Sequence, residues 1–108
     1  MIKLNIKPLS VNQAWKGRRF KTNEYKKYEQ DVLFLLPNIK MPNPPYVVYI
    51  QFSFSNLASD IDNPTKLLLD ILQKKYGIND KHIVKLILEK VHVKKGDECI
   101  LFSIEEKK

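Results

Sequence analysis

The chain opens on an alternation. Ile2, Leu4 and Ile6 are apolar and the residues between them, Lys3 and Asn5, are polar, the two-residue period of a half-buried strand that stops at Pro8. Beyond Thr22 the period changes. Tyr25, Tyr28, Val32 and Leu36 recur every three or four residues, Leu33 and Leu35 widen the stripe, and Thr22 and Pro37 supply a cap and a stop. A helix is predicted there, with Lys26 and Lys27 on its solvated side. Residues 37–45 hold four prolines and two asparagines and predict an extended connector.

Tyr46 to Phe54 is the clearest strand, with Val48, Ile50, Phe52 and Phe54 on one face and Val47, Tyr49, Gln51 and Ser53 on the other. A second helix is expected to begin with Asn63 as N-cap and Pro64 in the first turn, where a missing N–H costs nothing. Leu67, Leu68, Ile71 and Leu72 form its buried stripe with Lys75 at one edge, and Gly77 is placed to end it in a left-handed conformation. Ile83 to Val93 reads as a long strand, Lys94 to Asp97 as a hairpin turn, Cys99 to Ile104 as the last strand, and Glu105 to Lys108 as a frayed tail. The order strand, helix, strand, helix, strand, strand predicts an α+β fold, two helices packed on a mixed four-stranded sheet, in a single domain spanning residues 1–108.

Composition narrows the setting. An apolar fraction of 44% is that of an ordinary globular chain. No apolar run reaches the roughly 18 residues that suggest a membrane span, and the N-terminus lacks the apolar core of a signal peptide, so the cytoplasm is the expected location. The lone Cys99 has apolar neighbours and reads as a buried strand position. A net charge of +7, from 19 Lys and Arg against 12 Asp and Glu, favours a polyanionic partner, either nucleic acid or an anionic membrane surface. Lys16, Arg18, Arg19 and Lys21, interleaved with Trp15 and Phe20, fit a loop that grips DNA phosphates; they fit equally a solvated hairpin whose aromatics fold back on the core.

Candidate chemistry is concentrated between Ser59 and Asp80. Asp60 and Asp62 flank Ile61, so in an extended segment both carboxylates project to one side and could share a divalent cation. Lys66 follows one helical turn later and could steady charge on a phosphate, helped by the positive end of the helix. The turn at Gly77 is expected to bring Asp80 back beside the pair. Each residue also has a plain structural reading: helix capping for the carboxylates, an ordinary surface pair for Lys66 with Asp70, a turn position for Asp80.

Taken together, Asp60-Ile61-Asp62-Asn63-Pro64-Thr65-Lys66, then Leu69-Asp70-Ile71-Leu72, then Asn79-Asp80-Lys81-His82-Ile83, resembles the RusA family of Holliday junction resolvases. Ser10-Val11-Asn12, Trp15, the basic loop, Thr22 with Tyr28, and Lys90 extend the likeness over nearly the whole chain. The resemblance implies a homodimeric, Mg²⁺-dependent endonuclease of DNA recombination and repair that nicks four-way DNA junctions symmetrically. Asp60, Asp62 and Asp80 would be its metal site and Lys66 its catalytic lysine. Three departures are visible: Asn56 to Ser59 stand where a basic run can precede the first aspartate, the family's acidic dipeptide is reduced to Asn79-Asp80, and Pro64 opens the helix. The competing reading is a non-catalytic basic DNA-binding module.

Overall fold

The computed structural model describes residues 1–9, 15–16, 20–56, 58 and 60–108, with backbone only for Trp15, Lys16, Phe20 and Asn63. Its elements are β1 (Ile2–Leu4), β2 (Trp15–Lys16), β3 (Phe20–Lys21), α1 (Asn23–Leu35), β4 (Tyr46–Phe54), α2 (Asp62–Tyr76), a 3₁₀ turn (Asp80–His82), β5 (Ile83–His92) and β6 (Cys99–Glu106). Two helices on a mixed four-stranded sheet is the architecture that the periodicity predicts.

The sheet order is β1-β6-β4-β5, with β6 antiparallel to both of its neighbours and β5 parallel to β4. One face of β4 carries the core: Val48, Ile50 and Phe52 are wholly buried, as are Ile100 and Phe102 beside them on β6. Leu67, Leu68, Ile71 and Leu72 of α2 and Tyr25 and Val32 of α1 close over that face. Alternation makes this possible, since every second residue of a strand points the same way and the helical stripes supply a matching apolar surface. The Thr22 hydroxyl accepts from the Tyr25 N–H at 3.1 Å, so α1 starts where the sequence places its cap. Gly77 has φ +67° and ends α2 in the left-handed region.

Three expectations about the chain's second half are corrected. The turn after β5 does not make a hairpin, because β4 lies between β5 and β6. The Val93 N–H stays bonded to the Phe54 carbonyl at 2.8 Å, and the following residues cross the end of β4 before β6 begins. Nor is the C-terminus frayed at Glu105. β6 runs on to Glu106, opposite Tyr46, and the Lys107 N–H bonds the Pro45 carbonyl at 2.8 Å. Finally, α2 begins at Asp62 with Ile61 as its N-cap residue, and Asn63 is already inside the first turn. Pro64 still costs no hydrogen bond there, since the first four N–H groups of a helix have no intrahelical acceptor.

Candidate active site

The junction of β4 and α2 sets out the first group of residues. Asp60 and Asp62 are exposed, one just before the helix and one as its first residue. Ile61 between them is helical in conformation, φ −82° and ψ −31°, so the extended arrangement expected for Asp60-Ile61-Asp62 is not what the chain adopts. What joins these residues is the helix start itself. The N-cap residue, Ile61, makes no side-chain cap; the Thr65 hydroxyl donates to the Ile61 carbonyl at 2.7 Å and buries its own polar group, and Asp62 stands in the first turn at the positive end of the dipole. Lys66 is also exposed and stands four residues on, so it shares a helix face with Asp62.

Asp80 lies elsewhere. Because β5 is parallel to β4, Ile83 pairs with Tyr46 and His92 with Phe54. The 3₁₀ turn that leads into β5 therefore sits at the Tyr46 end of the sheet, while Asp60 and Asp62 sit at the Phe54 end. At ~3.3 Å per residue the nine residues of β4 separate the two ends by roughly 26 Å. The expected return of Asp80 to the carboxylate pair does not happen within one chain: α2 carries the chain back over the sheet before the turn at Gly77. Among the described residues no group of three or more His, Cys, Asp or Glu comes together to hold a metal ion. Asn79 caps the turn by accepting from the Lys81 N–H at 3.0 Å, leaving the Asp80 side chain exposed.

The same register brings residues to the Asp62 end that sequence reasoning undervalued. Lys90 pairs with Phe52 and His92 with Phe54, so both project from the helix-bearing face near the start of α2. Parallel pairing in the βαβ unit was the available signal for this placement.

The basic stretch is only partly described. Arg18 and Arg19 fall outside the described residues, and for Lys16 the backbone alone is given. β2 and β3 form an antiparallel ribbon, Trp15 opposite Lys21 and Lys16 opposite Phe20. Lys21 is committed within the fold: its Nζ lies 3.1 Å from Glu29 and 4.9 Å from the centre of the Tyr25 ring. Glu29 also takes Lys74 of α2 at 3.2 Å. Burial raises the Glu29 carboxyl, but the bonds from Lys21 and Lys74 outweigh it and hold the group below the ordinary carboxylate range. Burial first, then the Glu29 and Asp70 carboxylates, push the Tyr25 hydroxyl up to about 12. This node ties the ribbon to both helices. Glu29 could have been suspected from its place four residues after Tyr25, but nothing local points to Lys74.

No helix among the described residues is long and apolar enough to cross a membrane. No curated protein sequence matches the chain. The sequence profile of the family described as endodeoxyribonuclease RusA does match, over residues 7–99, a span that takes in both aspartate segments, Lys66 and the basic ribbon. That is most of the 108-residue chain, and the chain belongs to the RusA family of endodeoxyribonucleases.

Proposed function

We propose that this nuclease is a homodimer that nicks four-way DNA junctions in recombination and repair, using Mg²⁺. The observation that carries the reading is the start of α2, where two exposed aspartates, an exposed lysine on the Asp62 face and a helix N-terminus converge within the span that matches the family. The donor set suits the ion, since Mg²⁺ takes one or two protein carboxylates and fills its octahedron with water and phosphate. When bound, the ion supplies charge neutralisation and Lewis-acid polarisation at the scissile phosphate. Asp60 and Asp62 would hold it. Lys66 donates to a phosphate oxygen and offsets the charge that grows there. The N–H groups of the first turn of α2 add positive potential to the same corner.

Asp80 enters this scheme from a second copy. A single chain presents Asp60 and Asp62 at one end of β4 and Asp80 at the other, so two copies related by a two-fold axis can complete two sites, each with Asp80 of the partner subunit. A junction is itself a two-fold object, and two such sites match two opposed strands. Lys16, Arg18 and Arg19 are assigned to phosphate contacts, with Lys21 spent mainly on Glu29.

The second reading, a non-catalytic DNA-binding module, draws support from the absence of a three-carboxylate group within one chain among the described residues. A labelled synthetic junction with Mg²⁺ separates the two. Wild type should give paired symmetric nicks that Asp62→Asn and chelation both abolish while junction binding persists. Nicking that survives excess EDTA would remove the metal from the reading, and binding by both proteins without nicking would favour the module.

A further inference from the structure

The crossover from β5 to β6 is built around the end of β4. The Val93 N–H bonds the Phe54 carbonyl at 2.8 Å, and on the other side Cys99 pairs with Ser53, so residues 94–98 pass directly beyond Phe54. They do so in one tight turn. The Asp97 N–H bonds the Lys94 carbonyl at 3.1 Å, with Lys95 and Gly96 in the two central places. Gly96 has φ +102°, the positive value that the second central place of a type II turn requires. Lys95 therefore stands at the tip.

One side chain fixes this turn to the candidate active site. Glu98 accepts from the Gly96 N–H at 2.8 Å through one oxygen and from the Ser55 hydroxyl at 2.7 Å through the other. The Ser55 bond first, then the N–H groups of the turn, hold the Glu98 carboxyl below the ordinary carboxylate range. Ser55 is the first residue of the connection that leads from β4 to Asp60. Even fully extended, the backbone from Ser55 to Asp60 spans at most about 17 Å. At ~3.4 Å of rise per nucleotide, Ser55 and the turn bonded to it lie within about five nucleotides of a phosphate held at Asp60.

The cations of this turn are uncommitted. Lys95 is exposed and makes no ion pair among the described residues. Lys94 is 84% exposed and reaches Asp97 only at 3.9 Å, a surface pair of little energy. Elsewhere Lys21 and Lys74 are spent on Glu29, and Lys27 on Asp31. Lys107 lies at the opposite end of the sheet, where its N–H bonds the Pro45 carbonyl. Two aspartates at the Phe54 end repel a polyanion by themselves, and cations beside them offset that field.

We propose that the Lys94–Lys95 turn is a DNA-phosphate contact site, held by Glu98 on Ser55 so that it grips the strand a few nucleotides from the bond to be cut. The site rests on the nuclease reading, which supplies its ligand. Because the turn is closed before DNA arrives, little ordering is lost on contact. Glu98 is a positioning residue: it touches no phosphate, and its charge alone opposes binding.

The experiment measures binding without cleavage, by fluorescence anisotropy of a labelled four-way junction in EDTA across roughly 50 to 200 mM KCl. Lys94→Ala with Lys95→Ala should flatten the slope of log affinity against log salt by about 2 and weaken binding roughly tenfold to a hundredfold. Lys107→Ala with Lys108→Ala removes the same charge at the other end and should leave both near wild type. Glu98→Ala separates position from charge. It makes the chain more basic, which by charge alone tightens binding, yet releasing the turn should weaken binding about threefold to tenfold. Ser55→Ala changes no charge and should act in the same direction. Thermal melting confirms that each variant is folded. A Lys94/Lys95 variant with the wild-type slope, an equal loss in both lysine pairs, or tighter binding by Glu98→Ala would each overturn the site. Wild type without affinity for DNA would defeat the site and the nuclease reading together. Wild type that binds through the turn yet never nicks a junction in Mg²⁺ would leave the site standing and defeat the catalytic reading alone.

Discussion

Lys21 and Lys74 meet on one carboxylate, Glu29, at 3.1 and 3.2 Å. One lysine belongs to the ribbon and the other to α2, so a single residue of α1 fastens three elements. The Glu29 side chain is 15% exposed, which keeps the pairings from being fully screened, while Lys74 at 59% is largely solvated. Glu29→Gln should cost about 1 to 2 kcal/mol at neutral pH, measured by urea unfolding. The carboxyl is held below its unfolded value, so its contribution is present above that value and is lost as pH falls through the folded one. The gap between wild type and Glu29→Gln should therefore close on acidification.

The split of the aspartates yields a mixing test. Asp62→Asn and Asp80→Asn should each be inactive alone. If sites are shared between subunits, a mixed dimer has one site with both changes and one with none. Mixing the two dead proteins should then restore single-strand nicking of a junction, scored on a denaturing gel. Continued inactivity of a mixture shown to exchange subunits would mean that each chain uses its own aspartates.

Lys66 is solvent-exposed and makes no ion pair among the described residues, so its removal has little structural effect. Lys66→Ala should leave the melting temperature within a degree or two and lower the nicking rate by about 10² to 10³-fold. A rate near wild type would release Lys66 from the mechanism.

Gly77 has φ +67°, and a Cβ built there meets no atom within 4 Å. Gly77→Ala should lose about 1 kcal/mol, the backbone cost of a left-handed alanine without any clash. Denaturant unfolding reads this directly, and a loss above about 3 kcal/mol would point to a contact that the geometry does not contain.

Much of this was legible in the sequence. The alternation of Val48, Ile50 and Phe52 and the stripe of Leu67, Leu68, Ile71 and Leu72 identify both sides of the core, and Thr22 and Gly77 mark helix ends by chemistry alone. Strand order was not, since nothing local to Cys99–Glu106 tells it to enter between β1 and β4 rather than beside β5. At the site, Asp62 and Lys66 sit together because helical spacing guarantees it. The position of Asp80 is not legible locally, because a turn after a helix does not say to which end of the sheet the chain returns. Once β4, α2 and β5 are seen as a crossover between parallel strands, the end of one and the start of the next must lie at opposite ends of the sheet.

The position of β6 bears on how the molecule is made. It is the last strand in sequence, yet it lies between the first strand and β4 and bonds to both. Until residues 99–106 have left the ribosome, β1 has nothing to pair with and one side of β4 stands open. Two of the sheet's three ladders therefore wait for residues 99–106, and folding is set in part by encounters between residues nearly a hundred positions apart, the kind that form slowly. A nascent chain carries its basic ribbon and its first two aspartates before β6 joins β1 to β4, so the sheet that positions them is completed only once residues 99–106 have emerged.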